Sequence, residues 1–140
     1  MKCSAQVYVH NSLEAVDLYC RAFGARISFE MKNTDETEYE HCELSVNGER
    51  VLAVSEANEP YDVSIIHQMK LQTMTFNAYE LGSVEAVQNA YNVLREGGVV
   101  LEPIHEAPWC KCCATVIDRY GVCWWIAREQ DMPKQKREDS

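Results

Sequence analysis

The sequence lacks any apolar run near the roughly 20 residues that a membrane-spanning helix needs, which argues against a helical membrane protein. Positive charge is also scarce, with 13 lysines and arginines against 22 acids and a formal net charge of −9. An acidic surface repels phosphate backbones and anionic lipid, so neither nucleic acid nor membrane is expected as a partner. Met1-Lys2-Cys3-Ser4 passes straight into a strand pattern without the apolar stretch of a signal peptide. The seven cysteines are an odd count and do not read as a disulfide framework, so reduced thiols and a cytoplasmic location are expected. Glycine is sparse, and Gly97-Gly98 follows a helical pattern rather than opening one, which leaves no phosphate-binding loop. What remains is ordinary for one compact domain of 140 residues, at 46% hydrophobic and 25% charged.

The most informative positive feature is a repeat. Leu13, Val16, Cys20 and Phe23 form a helix-spaced apolar stripe, which returns at an offset of 71 residues (13 to 84) as Val84, Val87, Tyr91 and Leu94. A strand pattern precedes each stripe and several follow it. In the first half, Cys3–Val9 reads as a strand. Asn11-Ser12-Leu13-Glu14 has the form of a capping box, and the helix it opens stops at Gly24. Ile27, Phe29 and Met31 alternate with polar residues, as do Cys42, Leu44 and Val46, and Asn47-Gly48 is a hairpin turn into Glu49–Ser55. In the second half, strands are expected over Leu71–Tyr79, Val99–Glu102 (ended by Pro103), Lys111–Ile117 and Val122–Ala127, with a helix over Ser83–Glu96.

This order predicts an α+β fold in which two paired βαβββ modules form a curved, mostly antiparallel sheet cup with helices on the outside. One domain is expected over 1–128, with module one at 1–56, a connection at 57–69 and module two at 70–128. Residues 129–140 lack apolar periodicity and read as a disordered tail. Strand alternation places Val7, Phe29, Leu44, Leu52, Met74 and Phe76 beneath the helices. The opposite faces then carry Ser4, Gln6, Tyr8, Glu30, His41, Glu43 and Ala53 from the first half. Thr73, Thr75, Asn77, Cys123 and Trp125 come from the second. A sheet with one polar, wet face is a binding surface by default, so a small-molecule ligand is expected there.

Two segments resemble a known family. Leu18-Tyr19-Cys20-Arg21-Ala22-Phe23-Gly24-Ala25 looks like the signature following the first strand of vicinal-oxygen-chelate proteins, the glyoxalase/bleomycin-resistance/dioxygenase superfamily. Asp118-Arg119-Tyr120-Gly121-Val122-Cys123-Trp124-Trp125-Ile126 looks like the matching ending, and with Gly97-Gly98-Val99 and Trp109 the pattern is most similar to the PhnB-like branch. The resemblance covers about residues 4–128 and implies paired βαβββ modules around a cup, usually in a homodimer. It also implies four strand positions that hold a divalent metal in metal-dependent members. Those positions fall on Ser4, Ala53, Thr75 and Trp125, none of them an imidazole or carboxylate. No metal or other cofactor is therefore expected. Bleomycin-resistance-type members set a precedent for binding ligands without metal chemistry.

His41 and Glu43, two apart on one strand, are the candidate catalytic pair, as a base and its orienting partner. The plainer reading is a solvated strand face. Tyr8, Trp109 and Trp125 are candidates to stack on a planar ligand, whereas Trp124 alternates toward the core. Ser4, Gln6, Glu30, Thr75 and Cys123 complete the expected ligand-binding set. Alternation sets Cys110 and Cys112 on one face and Cys113 on the other, so a metal or redox role would need His105, His67 or Cys123. The leading expectation is a metal-free small-molecule-binding protein. An acid–base or metal-dependent lyase, isomerase or dioxygenase is the alternative, and a cysteine-based sensor the third.

Overall fold

The computed structural model describes residues 1–61 and 73–129, in an order that repeats β-α-β-β-β twice. The first unit contains β1 (Gln6–Val9), α1 (Ser12–Phe23), β2 (Arg26–Lys32), β3 (Tyr39–Val46) and β4 (Glu49–Glu56). The second contains β5 (Phe76–Ala78), α2 (Val84–Leu94), β6 (Val99–Ala107), β7 (Cys110–Ile117) and β8 (Cys123–Ala127). Contacts divide the chain into two compact units, Met1–Thr73 and Met74–Ser140. Each holds a four-stranded sheet, ordered β1-β4-β3-β2 in one and β5-β8-β7-β6 in the other. In each sheet the first strand pairs parallel with the last and the remaining pairs are antiparallel. The expected repeat is therefore present in the connectivity itself. The strand expected from Leu71 is described only from residue 73 on, and the expected tail lies outside the described residues apart from Glu129.

Helix α1 buries Ala15, Val16, Leu18, Tyr19 and Ala22. That face lies one step round the helix from the Leu13/Val16/Cys20/Phe23 stripe, most of which sits at the rim. Leu18 and Tyr19 are fully buried, each removing apolar surface worth about 1.5–3 kcal/mol. The N-terminus of α1 is not closed by a capping box. Asn11 adopts φ 60° and makes no side-chain cap bond. Glu56 at the end of β4 accepts instead from the Asn11 and Ser12 amides at 3.1 and 2.9 Å, and Ser12 Oγ accepts from the Tyr39 amide at 2.9 Å. A carboxylate brought from the sheet thus offsets the positive end of the helix. In α2, Ser83 Oγ accepts from the Ala86 amide at 3.1 Å, and Val87, Ala90 and Leu94 are buried.

The Asp118–Trp124 segment is held by one buried side chain. Asp118, 2% exposed, accepts through Oδ1 from the Tyr120 and Val122 amides at 2.9 and 3.0 Å. Its Oδ2 accepts from the Trp124 indole at 2.9 Å. The Asp-x-x-Gly-x-x-Trp spacing is what this knot requires: a turn at Gly121 (φ 90°), then an indole reaching back six residues. Gly98 is needed for close approach, since a Cβ there would lie 2.2 Å from the Ile117 carbonyl oxygen.

Three further expectations, all about strands, need correction. Phe29 is 46% exposed and does not lie beneath the helix. The β2/β3 pairing shifts between Ile27 and Phe29, leaving Ser28 as an extra residue, and shifts back between Met31 and Lys32. Ser28 Oγ bonds the Glu43 carbonyl at 3.2 Å where the ladder is interrupted. Met74, expected in the core, is 68% exposed because β5 begins only at Phe76, whose ring packs against Trp124 at 5.7 Å. Finally, β6 continues through Pro103 to Ala107. It is the edge strand of its sheet, where a missing N–H costs no ladder bond.

Candidate functional site

Cross-strand register builds a row on one face of the first sheet. Gln6 pairs with Ala53, Ala53 with Glu43, and Glu43 with Phe29. Directly paired residues share a face, so the four lie side by side. Met31 pairs with His41 and Tyr8 with Ser55, which puts these on the same face. The bulge at Ser28 determines this composition: it brings Phe29 within 6.0 Å of the His41 ring. It also removes Glu30, which pairs with Cys42 and whose Oε2 accepts from the Tyr39 hydroxyl at 3.1 Å on the helix side. The expectation that Glu30 joins His41 and Glu43 is thereby corrected.

His41 and Glu43 do meet, with Nε2 3.2 Å from Glu43 Oε1. Arg50 Nη1 donates to the same oxygen at 2.8 Å. These hydrogen bonds, His41's first and Arg50's second, hold the Glu43 carboxyl below the usual carboxylate range. Arg50 had no signal in the alternation, because a second register shift, between Leu44 and Ser45, is what sets it opposite Ser45 on this face. The cluster is a fixed, charge-compensated acceptor flanked by the exposed apolar side chains of Phe29 and Met31. Nearby, Gln6 Nε2 donates to Ser55 Oγ at 3.1 Å. Tyr8, 40% exposed, stacks on Tyr61 with ring centroids 4.0 Å apart and planes 3° from parallel. The Tyr61 hydroxyl, as hydrogen-bond partner, raises the Tyr8 pKa.

In the second unit, Trp125 pairs with Asn77 on one side and Thr115 on the other, and packs half-buried against a cluster of Cys110, Cys113 and Ala127. Thr75 is exposed, and its hydroxyl donates to Cys123 Sγ at 3.5 Å. Trp109 is exposed in the β6–β7 turn. Cys110 groups with Cys113 rather than with Cys112, a departure from alternation at the hairpin end, where the β6/β7 register shifts between His105 and Ala107. His105 Nε2 stands 3.7 Å from Cys113 Sγ, and its Nδ1 donates to the Pro103 carbonyl at 2.8 Å. Burial pushes the Cys113 thiol up to about 11 and also raises Cys112, so both stay protonated and weakly nucleophilic near neutral pH. His67 lies outside the described residues.

The four positions expected to match family metal ligands offer a poor donor set. Ser4 is exposed ahead of β1, Ala53 presents a methyl group, Thr75 carries a hydroxyl shared with Cys123, and Trp125 is an indole. None supplies the imidazole or carboxylate that a catalytic divalent ion takes, so these residues do not fit such an ion. Among the described residues, no group of three or more His, Cys, Asp or Glu is arranged to hold a metal. Among the same residues, no helix is long and apolar enough to cross a membrane.

A twice-repeated β-α-β-β-β connectivity, with each sheet opening and closing on a parallel pair, defines a class of small α+β proteins. The chain belongs to one family within it, the glyoxalase/bleomycin resistance protein/dioxygenase superfamily, whose family model matches residues 4–126. Solved structures share the fold. Protein PA1353 from Pseudomonas aeruginosa is similar with a TM-score of 0.71 at 20% identity, covering 94% of this chain and 99% of that one. A putative 3-demethylubiquinone-9 3-methyltransferase, PhnB protein, from Bacillus cereus gives 0.69 at 18%, covering 91% and 98%. A glyoxalase/bleomycin resistance protein/dioxygenase family enzyme from Burkholderia phytofirmans PsJN gives 0.59 at 13%, covering 88% and 94%. No curated protein matches the sequence.

Proposed function

We propose that the protein binds a small organic molecule on the polar face of its sheet without the help of a metal ion. The observation that carries this reading is the replacement of the family's ligand positions by Ser4, Ala53, Thr75 and Trp125; the first unit in addition carries a preorganised acceptor made by His41, Glu43 and Arg50. Tyr8, Phe29 and Met31 supply apolar walls, and Gln6 and Ser55 a polar floor. Trp125, with Thr75 and Cys123, gives the second unit a corresponding surface. The hydrogen bonds from His41 and Arg50 that lower the Glu43 pKa keep it an anionic acceptor, the form in which it would hold a donor group of a ligand.

A homodimer and a cytoplasmic location belong to the same reading. Exposed apolar side chains at Ile27, Val51, Val99 and Leu101 support self-association, and seven unpaired cysteines support a reducing compartment. The test is elemental mass spectrometry on untagged protein purified without chelator or added metal. The expected result is below about one-tenth of an equivalent of any transition metal per chain. Close to one equivalent of zinc, nickel, manganese or iron would overturn the proposal and favour the metal-dependent enzyme.

A further inference from the structure

Tyr61 lies in the chain after β4, where the sequence offers no strand or helix pattern, yet its ring is placed with care. Its amide donates to the Asn58 carbonyl at 2.6 Å, closing a four-residue turn. Asn58 Nδ2 donates in turn to Glu38 Oε1 at 2.8 Å, and the Asn58 amide bonds the Glu56 carbonyl at 2.9 Å. The turn is thus tied both to the end of β4 and to the segment that leads into β3. Its last residue is held with its ring 3° from parallel to Tyr8, at 4.0 Å between centroids. Two phenol rings in this relation form a flat shelf, and Tyr61 remains 55% exposed although stacked. A surface tyrosine packed only for stability would be expected to hide more of its ring. This one shows a wide aromatic surface to solvent beside the face that carries His41 and Glu43.

The shelf has a sign. Both rings are phenols, with electron-rich faces that attract a positive or electron-poor partner. The chain around them strengthens that preference. Residues 51–61 contain no lysine or arginine; Glu56 is committed to the α1 amides, Glu59 adds negative charge within the turn, and residues 3–9 carry no charge. Of the arginines on this sheet face, Arg50 is engaged by Glu43 at 2.8 Å, and Arg26, paired with Ser45, belongs to the edge strand farthest from Tyr8. At the shelf an anionic ring would be opposed by Glu59 and by the π-electron density, whereas a cationic ring gains from both.

We infer that Tyr61 is a specificity-determining residue, the second ring of a Tyr8–Tyr61 shelf that receives a planar heteroaromatic cation. The inference rests on the binding reading above and names its ligand class. Because the turn fixes Tyr61 in place, the ligand ring adds to an existing stack and does not displace it. The hydroxyl of Tyr61 is dispensable for this, and the ring is not.

The experiment is a fluorescence-anisotropy titration of the wild type with proflavine, a planar cation at neutral pH, repeated in high salt to remove diffuse attraction to the acidic chain. 9-Anthracenecarboxylate serves as the planar anion. The expected result is salt-resistant proflavine binding that weakens by about 3- to 10-fold in Tyr61→Leu and Tyr8→Leu and is retained in Tyr61→Phe. The anion should bind at least about tenfold more weakly than the cation. Urea denaturation of Tyr61→Leu checks that the fold survives, as the exposure of the ring predicts. No salt-resistant proflavine binding, equal binding by Tyr61→Leu and wild type, or equal affinity for the anion would each overturn the inference. All three outcomes leave the metal analysis untouched, so failure of the shelf is distinguishable from failure of the metal-free binding reading.

Discussion

Replacing Asp118 by asparagine tests whether the strongest family-like segment of the chain is structural. The substitution preserves size but turns one accepting oxygen into an NH2 group. The cheaper orientation keeps Oδ1 for the Tyr120 and Val122 amides and sets the NH2 against the Trp124 indole, donor facing donor. A buried donor left without an acceptor costs about 1–3 kcal/mol. The two surviving bonds also lose their charge assistance, at about 1 kcal/mol each. The sum is about 3–5 kcal/mol, a large part of the 5–15 kcal/mol typical of a domain. With a urea m-value of about 2 kcal/mol/M, the unfolding midpoint should fall by roughly 2 M at unchanged m. Trp124→Phe removes the opposing donor, so Asp118→Asn should cost at least about 1 kcal/mol less in that background than in the wild type. A change below about 0.5 kcal/mol, or no coupling to Trp124, would refute the account of the knot.

Two other outcomes are expected. Gly98→Ala should destabilise by at least about 3 kcal/mol in urea unfolding, because its Cβ would meet the fixed Ile117 carbonyl at 2.2 Å; Gly97→Ala, strained by φ 69° and meeting only the yielding Arg119 side chain at 3.3 Å, should cost about 1 kcal/mol. Stability should fall on the alkaline side. Burial raises Cys42 and Tyr39 to about 12 and Cys113 to about 11 in the folded chain. Unfolded, these groups lose their protons near about 8.5 for cysteine and about 10 for tyrosine. The folded state therefore holds more protons above about pH 8.5, and stability drops by up to about 1.4 kcal/mol per pH unit per group until the folded pKa is passed. Urea titrations from pH 7 to 11 should show this limb, and Cys42→Ala should make it shallower. A flat profile would contradict the assigned burial.

The repeat was legible because helix-spaced apolar residues and strand alternation are properties of single segments, and an Asn-Gly turn needs no tertiary context. The faces were only partly legible. Alternation assumes that every residue has one partner, and Ser28 breaks that assumption; Phe29 and Glu30 were therefore assigned to each other's sides. Nor does the local pattern at Asn11-Ser12 reveal that Glu56 closes α1 from across the sheet. Pro103 reads as a strand end unless the strand is known to lie at an edge. At the site, His41 and Glu43 were found because they stand two apart on one strand. Arg50 and Tyr61 were missed because a register shift and a loop turn, respectively, bring them there.

The two register shifts in β2 and β3 have the same end pairs, Ile27 with Leu44 and Lys32 with Tyr39, that an unshifted ladder would have. Only the stretch between them is slipped by one residue. The same chain length therefore accommodates two ladders, one presenting Phe29 and Met31 beside His41, the other presenting Ser28 and Glu30. Substitutions that favoured the unshifted ladder would exchange a greasy rim for a charged one without insertion, deletion or any change in the helix-side packing at Leu44. A strand of this kind offers descendants of the sequence a change of ligand polarity within a four-residue window.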